Sequence, residues 1–555
     1  MALVFALSLP AIAMGMVGDD YDLAASVADD PLSAYVFGPR DPDALARSVA
    51  AQRAEGVRPW WASNGLRIAF LRPLSSLSHA LDFALFGGAP WVMHVENSLL
   101  LVGIVWLVFL IYGRLGLQPA ALALATFFYA FNGNHSMTVG WIAGRNTLLA
   151  TLLGLIAVWL HLRARDEQRP DLLAAAVGCL GAALLSAEGA VASLAYISAH
   201  ALVLDTGTLR ARMLRLWPYA LVLVAWRAAY ALGGYGVVGS GFYSDPMDDP
   251  VGFSVGVLAG APIYLASQLT APYASMSGAT PWALAACVGI SLLLLWLLRG
   301  LLWPLLRDDA RARFLAVGAL LATVPLGTTL PQDRLVFFVG LGTCGLVALA
   351  VHARLGPDAT TQPTWAARAL LRIKGVYMPL MFVPILFSSV NQLMGGGALA
   401  LDAALPRDAD AHVVLLNGPS HLPVHYQRRM RTRRGDAVAT VDMLYAGAAP
   451  LHVHRAGETV LELTVERGWC ATTIERIVRD PAREPFEVGQ VLSLPRMRVE
   501  ILEVTQRGEP RRVRFELLHR TGAPVQFFAW HQRTPAAIDL PAIGETLVLP
   551  GVGPI

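Results

Sequence analysis

Two adjacent carboxylates, Asp19 and Asp20, follow the first apolar run of the chain, Met1 to Val17. A carboxylate is costly inside a bilayer, so an acidic pair at the end of such a run is either the solvated start of a loop or a built site. A built site would offer a general base, because a carboxylate can accept the proton of an attacking hydroxyl. The positions of the other polar residues decide between the two interpretations.

The composition is that of a polytopic membrane protein, which contacts membrane lipids. Of the 555 residues, 55% are hydrophobic and 15% are charged, and the mean hydropathy is +0.51. Apolar runs of spanning length recur up to about residue 394. The net charge of +3 is too small to indicate a nucleic-acid partner. Lys374 is the only lysine, and this arginine bias is typical of a GC-rich bacterial genome.

Eleven apolar segments have about the length that crosses roughly 30 Å of hydrocarbon. These predicted spans are residues 1–17, 92–112, 119–136, 147–162, 171–186, 188–204, 214–232, 282–298, 314–330, 335–352 and 374–393. Arginines concentrate in the loops after alternate spans, and basic loops stay in the cytoplasm. We therefore predict a multi-pass protein of the bacterial inner membrane with a cytoplasmic amino terminus and a periplasmic C-terminal domain. Lys374 falls in the last basic loop.

Two segments could change this count. Residues 251–269 are apolar enough for a twelfth span, but that span would move the arginines of residues 299–313 outside. We therefore interpret residues 251–275 as a helix that lies in, or re-enters, the outer interface. Residues 11–13 resemble a signal-peptidase site, yet residues 1–9 lack the basic leading region of a signal peptide.

The first outer loop, residues 18–91, is long enough to indicate a functional segment. From Leu66 to Phe86 apolar residues recur every three or four positions, and a second stripe is polar; its members are Arg72, Ser75, His79 and Asp82. This pattern predicts an amphipathic helix on the membrane surface. Trp60 and Trp61 precede it, and tryptophan favours the headgroup level. We expect the loop to fold back and cover a cavity.

Several polar residues share the predicted outer end of the spans with Asp19 and Asp20; they are Arg72, His79, His94, Glu96, His135, Arg145, Glu188 and Arg334. Each has a simpler explanation, such as an interfacial anchor at Arg145 or a local ion pair between Asp333 and Arg334. Together, carboxylates and arginines at one membrane face suit chemistry on a lipid-linked phosphate, because the guanidinium group of arginine is the preferred bidentate ligand for phosphate oxygens.

In these residues the chain resembles the GT-C superfamily of membrane glycosyltransferases, especially the protein O-mannosyltransferases and their relatives with tetratricopeptide repeats. The resemblance covers roughly residues 1–395 and lies in the order of its motifs. They are Gly18-Asp19-Asp20-Tyr21, Phe70-Leu-Arg72-Pro-Leu74, His94-Val-Glu96-Asn97, the stretch from His135 to Arg145-Asn-Thr-Leu-Leu149, Ser186-Ala-Glu188 and Gln332-Asp333-Arg334. The chain departs from the family at Ala187, where a lysine is expected, and in lacking the repeats.

The resemblance implies transfer of a monosaccharide from a polyprenyl-phosphate sugar to a glycan, lipid or protein acceptor at the non-cytoplasmic face. It implies that Asp19 or Asp20 is the base, and we prefer Asp20, which is further from the span. The residues implied to bind the donor or its phosphate are His135, Arg145, Glu188, Arg334, Arg72 and His94. We expect no cofactor, although a divalent metal is compatible with the acidic pair. The alternatives are a transporter or flippase for lipid-linked sugars, whose ionisable residues would lie near the midplane, and a non-catalytic membrane anchor.

The sequence divides into a transmembrane region at 1–394, a linker at 395–410 and a C-terminal domain at 411–555. In the domain, short segments alternate at period two between turns, which predicts a mainly β fold. Arginines crowd residues 428–434. Such a run is ordinarily a solvated face, and the sharper alternative is contact with anionic headgroups or an acidic glycan. We expect the domain to recognise an acceptor or partner and to carry no catalysis.

Overall fold

The computed structural model describes residues 1–278, 280–356, 364–390, 396–518 and 525–553. Helices dominate up to residue 390, and strands dominate from residue 412 onward. This arrangement confirms the predicted fold class, a polytopic α-helical membrane protein with a mainly β C-terminal region. Residues 391–395, which hold the end of the last predicted span and the start of the predicted linker, lie outside the described residues.

The described residues up to 390 contain eighteen α-helices, and many of them begin with proline, whose fixed φ and missing N–H suit the first helical position. They are α1 Ala2–Ser8, α2 Asp20–Asp29, α3 Pro42–Ala54, α4 Pro73–Phe86, α5 Pro90–Arg114, α6 Pro119–Ala130, α7 Ser136–Gly140, α8 Arg145–Asp166, α9 Pro170–Leu184, α10 Ser193–Ala199, α11 Leu209–Leu214, α12 Trp217–Leu232, α13 Pro250–Leu269, α14 Pro281–Asp308, α15 Ala310–Ala322, α16 Phe337–Leu355, α17 Trp365–Arg372 and α18 Met378–Val390.

Within the described residues, seven helical stretches are long and apolar enough to cross a membrane. They are Pro90–Arg114, Ile142–Asp166, Pro250–Leu269, Pro281–Asp308, Ala310–Thr328, Phe337–Leu355 and Trp365–Ser388. All but Pro250–Leu269 overlap a predicted span. The other predicted spans hold shorter helical segments, which are Ala2–Met14, α6, Pro170–Leu184, Glu188–Leu204 and α12.

One end of the helix bundle gathers residues 15–20, the end of α6 and the starts of α5, α8 and α16, and we call it the site end. His94 on α5 contacts the carbonyl oxygen of Gly15, and the ring of His135 stacks on Phe337 at the start of α16. The amide of Ala143, just before α8, donates to Asp20. The predicted outer polar residues therefore come from segments that meet at one end of the bundle.

Helix α13 makes its polar contacts at the site end. The hydroxyl of Tyr264 accepts a hydrogen bond from the amide of Gln332 (3.3 Å), and Asn132 donates to Gln268 (2.7 Å). The helix also packs against the turn Val324–Thr328, which follows α15. These contacts are those that the predicted interfacial helix would make, although its 20 residues are also long enough to span a membrane.

The first loop folds into helices α2 to α4 and strands β1 Val36–Phe37 and β2 Arg67–Ala69. These two strands form a small antiparallel sheet with β3 Gly236–Val238, which follows α12. The predicted helix start at Leu66 is wrong, because strand β2 follows at Arg67 and α4 begins only at Pro73. Proline suits the first helical position and biases the residue before it toward extended backbone. On α4 the polar stripe, Ser75, His79 and Asp82, is buried, while Leu81 is 50% exposed. The apolar side therefore faces outward, as on a helix that contacts lipid.

In the C-terminal region, the described residues form α19 Gly396–Ala404, α20 Leu422–Arg434 and ten strands. The strands are β4 His412–Leu415, β5 Thr440–Met443, β6 Leu451–Arg455, β7 Val460–Thr464, β8 Val491–Ser493, β9 Met497–Val504, β10 Pro510–Leu517, β11 Val525–His531, β12 Thr534–Ala537 and β13 Thr546–Leu549. One antiparallel sheet has the order β13-β6-β7-β10-β9-β8, and the other has the order β12-β11-β4-β5. Strand β4 is parallel to both β5 and β11, with Val413 opposite Val441, so α20 is the crossover from β4 to β5.

The core of the C-terminal region includes four residues of the first loop, among them Trp60 and Trp61. The indole of Trp60 is 2% exposed, donates to the carbonyl of Leu444 (2.9 Å) and packs on the rings of Trp469 and Phe515. The expected headgroup placement of these tryptophans is wrong. A buried pocket that offers a carbonyl acceptor satisfies the amphipathic indole as well as a membrane interface does.

Lys374 is predicted at the boundary between the last basic loop and the span 374–393, and it lies instead in the interior of a helix. Thr364 caps α17 by accepting a hydrogen bond from the amide of Ala367, and the helical stretch then runs from Trp365 to Ser388. Because this helix starts earlier than the hydropathy pattern indicated, Lys374 falls in its interior and is 1% exposed.

Candidate functional site

The acidic pair sits where the chain turns from the first apolar helix into α2. Gly18 has a φ of +56°, a left-handed conformation that glycine adopts without strain, and it sets the direction of the turn. Asp19 is the N-cap of α2, and Asp20 and Asp22 lie in the first turn. Carboxylates are favoured there by the helix dipole.

Asp20 is a buried anchor. Its side chain is 1% exposed, and its two oxygens accept hydrogen bonds from the amides of Val17 (2.9 Å) and Ala143 (2.7 Å). Burial raises the pKa of Asp20 to about 8, against the opposing effect of these donors. The carboxyl group therefore ties the start of the first loop to the segment before α8, and both of its oxygens are already engaged.

Asp19 is partly exposed, and it accepts a hydrogen bond from the hydroxyl of Tyr426 on α20. Burial raises the pKa of Asp19 above its usual value, while the Tyr426 hydrogen bond and the nearby charge of Arg334 act to lower it. A carboxylate with a raised pKa is a better general base than an ordinary surface carboxylate. Of the two aspartates, Asp19 has the side chain that accepts fewer hydrogen bonds, one against two for Asp20.

Arg334 is a cation with no carboxylate within 4 Å in the described part of the chain. The simpler explanation of Arg334, a local ion pair with Asp333, does not hold, because that carboxylate accepts from the amides of residues 274 and 275 instead (3.1 and 3.0 Å). Arg334 Nε donates to Gln332 (2.7 Å), and its guanidinium lies 4.7 Å from the ring of Trp141. It is therefore held in place while its charge stays unneutralised.

Arg145 differs from Arg334, because two carboxylates neutralise its charge. The side chain is 2% exposed and bonds to Asp82 and Glu96, the latter at 2.9 Å. Its Nε donates to Asn97 (3.1 Å), and its NH2 donates to the carbonyl of Met93 (3.1 Å). The guanidinium thus joins α4, α5 and α8 at the site end.

Arg72 forms an ion pair at 2.6 Å with Glu188, which lies in the short turn 186–188. The guanidinium of Arg72 also lies over the rings of Phe70 and Tyr35, at 4.1 and 5.2 Å. Glu188 uses Oε2 for this pair, and its buried Oε1 has no hydrogen-bond partner among the described residues. The structure therefore brings these two predicted site residues together.

The predicted histidines are buried, and they contact residues other than Asp19 and Arg334. His94 bonds to the carbonyl of Gly15 (2.9 Å), and His79 bonds to the hydroxyl of Tyr35 (3.0 Å). His135 stacks on Phe337 with ring centroids 4.2 Å apart. No set of three or more His, Cys, Asp and Glu side chains in the described ranges is arranged to hold a metal ion.

The sequence analysis missed the side chains that the C-terminal region places at the site. Helix α20 contacts α2 through Tyr426, His425 and Arg429, the last two at 2.7 and 2.9 Å from Asp22. Although burial acts to raise it, these two partners hold the pKa of Asp22 below its usual range. The signal in the sequence is the basic run at residues 428–434, which contains Arg429.

No protein-family model matches the chain. A comparison with curated proteins also gives no match. Among solved structures, the chain is similar to ArnT from Cupriavidus metallidurans, in a crystal structure described as bound to undecaprenyl phosphate. The sequence identity is 13%, the TM-score is 0.38, and the alignment covers 93% of this chain and 96% of that one. We base the proposed function on the side chains of the site.

Proposed function

We propose that this protein is an inner-membrane glycosyltransferase of GT-C type, which transfers a monosaccharide from a polyprenyl-phosphate sugar to a glycan, lipid or protein acceptor at the periplasmic face. The observation that supports it is the presence, at one end of the bundle, of a partly exposed carboxylate, Asp19, and a nearby guanidinium, Arg334, that forms no ion pair within 4 Å among the described residues. These are the two groups that such a transfer requires, a proton acceptor and a ligand for the departing phosphate.

In the proposed reaction, Asp19 accepts the proton of an acceptor hydroxyl as its oxygen attacks the anomeric carbon. The bond between that carbon and the phosphate oxygen breaks, and Arg334 stabilises the polyprenyl phosphate that leaves. We assign the base to Asp19, although the sequence favoured Asp20, because both oxygens of Asp20 already accept backbone hydrogen bonds.

The other predicted site residues receive supporting roles in this proposal. Glu188 and Arg72 contact the donor, since Glu188 retains a buried oxygen free of described partners. Arg145, His94 and His135 hold the helices that carry the site, because their polar or stacking contacts are with protein groups. We also propose the predicted topology, in which the site end and the C-terminal region face the periplasm.

Transfer can be separated from transport by one assay. Purified protein in proteoliposomes is supplied with polyprenyl phosphate carrying a radiolabelled sugar, with bacterial membrane extract as the acceptor pool. We expect the label to leave the carrier and appear in a new product. Translocation of the label still attached to its carrier, with no transfer from any of a panel of donor sugars, would establish the flippase alternative and refute the proposal.

Replacing Arg334 with glutamine should lower kcat/KM for the donor by about 10- to 100-fold, because a hydrogen bond to a charged phosphate contributes about 1.5–3 kcal/mol. Lysine at this position should recover part of the loss. The matched control is Arg169→Gln, which removes an exposed arginine paired with Asp171. Initial rates against donor concentration give the result, and an unchanged kcat/KM in Arg334→Gln would remove Arg334 from phosphate binding.

A further inference from the structure

Helix α20 of the C-terminal region docks on the first turn of α2, where the acidic residues lie. Tyr426 bonds to Asp19, and His425 and Arg429 take the two oxygens of Asp22. Asp22 is 7% exposed, and Tyr426 is 5% exposed. Three side chains from one face of a single helix therefore meet two carboxylates one turn apart.

Helix α20 is also held on a second side, where it contacts α19 and the segment that follows α19. Arg431 is buried and donates to the carboxylate of Asp402 on α19 (2.6 Å), and also to the carbonyls of Asp402 (2.8 Å) and Pro406 (2.7 Å). The crossover between β4 and β5 sets the position of the helix relative to the sheet. Tyr426 is thus presented to Asp19 from a rigid element, which is the arrangement that preorganises a reactive group.

We propose that Tyr426 is a positioning residue for Asp19, so that the C-terminal region completes the active site of the transferase proposed above. Its hydroxyl occupies one oxygen of the carboxylate and leaves the other for the acceptor. It also holds Asp19 away from Arg334, with which Asp19 forms no ion pair within 4 Å. Burial and the charge of Asp19 raise the pKa of Tyr426 well above its usual value. The hydroxyl therefore stays protonated and donates a hydrogen bond to Asp19.

The test is Tyr426→Phe in the full chain, which removes only the hydroxyl. We expect kcat to fall by about tenfold, as for the loss of one hydrogen bond to a charged group, with the KM for the donor little changed. The hydrogen bond lowers the pKa of Asp19, so its loss raises that pKa. Since protonated Asp19 is inactive, the acidic limb of the pH profile of kcat/KM should move to higher pH by about one unit.

A second readout needs no turnover. The Asp19 carboxyl can be titrated by infrared difference spectroscopy, with its band assigned by Asp19→Asn, and the same upward shift should appear in Tyr426→Phe. The control is Tyr445→Phe, which removes a buried hydroxyl of the same region that accepts from the amide of Ala449. If neither the pH profile nor the infrared titration shifts, the inference is wrong even where transfer is observed. If the titration shifts but no donor is turned over, the proposed function is wrong and the Tyr426 contact stands.

Discussion

Replacing Asp19 with asparagine should lower kcat for sugar transfer by about 100-fold or more, because general base catalysis commonly contributes factors of 10² to 10⁴. The amide keeps the size of the side chain and can still accept from Tyr426, but it cannot take the proton of the acceptor hydroxyl. The variant should therefore fold and bind donor while failing to transfer the sugar. Turnover of the radiolabelled donor, with binding measured separately, checks this result.

Asp20→Asn should behave differently and sharpens the test. An asparagine offers one acceptor oxygen, so its NH2 must face the amide of either Val17 or Ala143. A buried donor left without a partner costs about 1–3 kcal/mol, so this variant should unfold at a lower temperature than the wild type. Asp29→Asn, on an exposed carboxylate of the same helix, is the neutral control for both. If Asp19→Asn keeps full turnover while a folded Asp20→Asn loses it, the base is Asp20, as the sequence alone suggested.

The sequence predicts the ends of the bundle better than the contacts across it. Apolar runs locate α5, α8 and α16, and the charge pattern predicts that Asp19, Glu188 and Arg334 lie at one end. Which arginine remains unneutralised was not predictable, because Asp82 meets Arg145 only through the packing of α4. A helical pattern shows that Asp82 shares a stripe with His79, but not what that stripe faces.

The contribution of the C-terminal region was the least visible from the sequence. Asp19 and Tyr426 are 407 residues apart, and no local pattern relates them. The arginines of α20 resemble one basic surface, yet Arg431 is buried against α19 while Arg433 is exposed. Composition cannot distinguish these two environments, because the helix face that becomes buried depends on the sheet and on α19.

The second large effect is expected at Arg145, through stability and not through phosphate binding. Arg145→Met leaves Asp82, whose side chain is 5% exposed, without its cation, and breaking a buried ion pair by removing one partner costs about 3–5 kcal/mol. We expect a large fall in the yield of folded protein and in the unfolding temperature. Thermal unfolding in detergent, followed by circular dichroism, measures the change.

The double variant Arg145→Met/Asp82→Leu separates the two explanations for Arg145. Replacing both members of a buried pair with apolar residues is often close to neutral, so it should recover much of the folded protein. Glu96 loses the same cation at a smaller cost, because its side chain is 34% exposed and reaches solvent. If Arg145→Met instead unfolds at the temperature of the wild type and has a raised KM for the donor, then Arg145 contacts the phosphate, as the sequence resemblance implied. The two outcomes differ because a matched buried pair is needed to hold α4 on the bundle, whereas a phosphate ligand is needed only when the donor is bound.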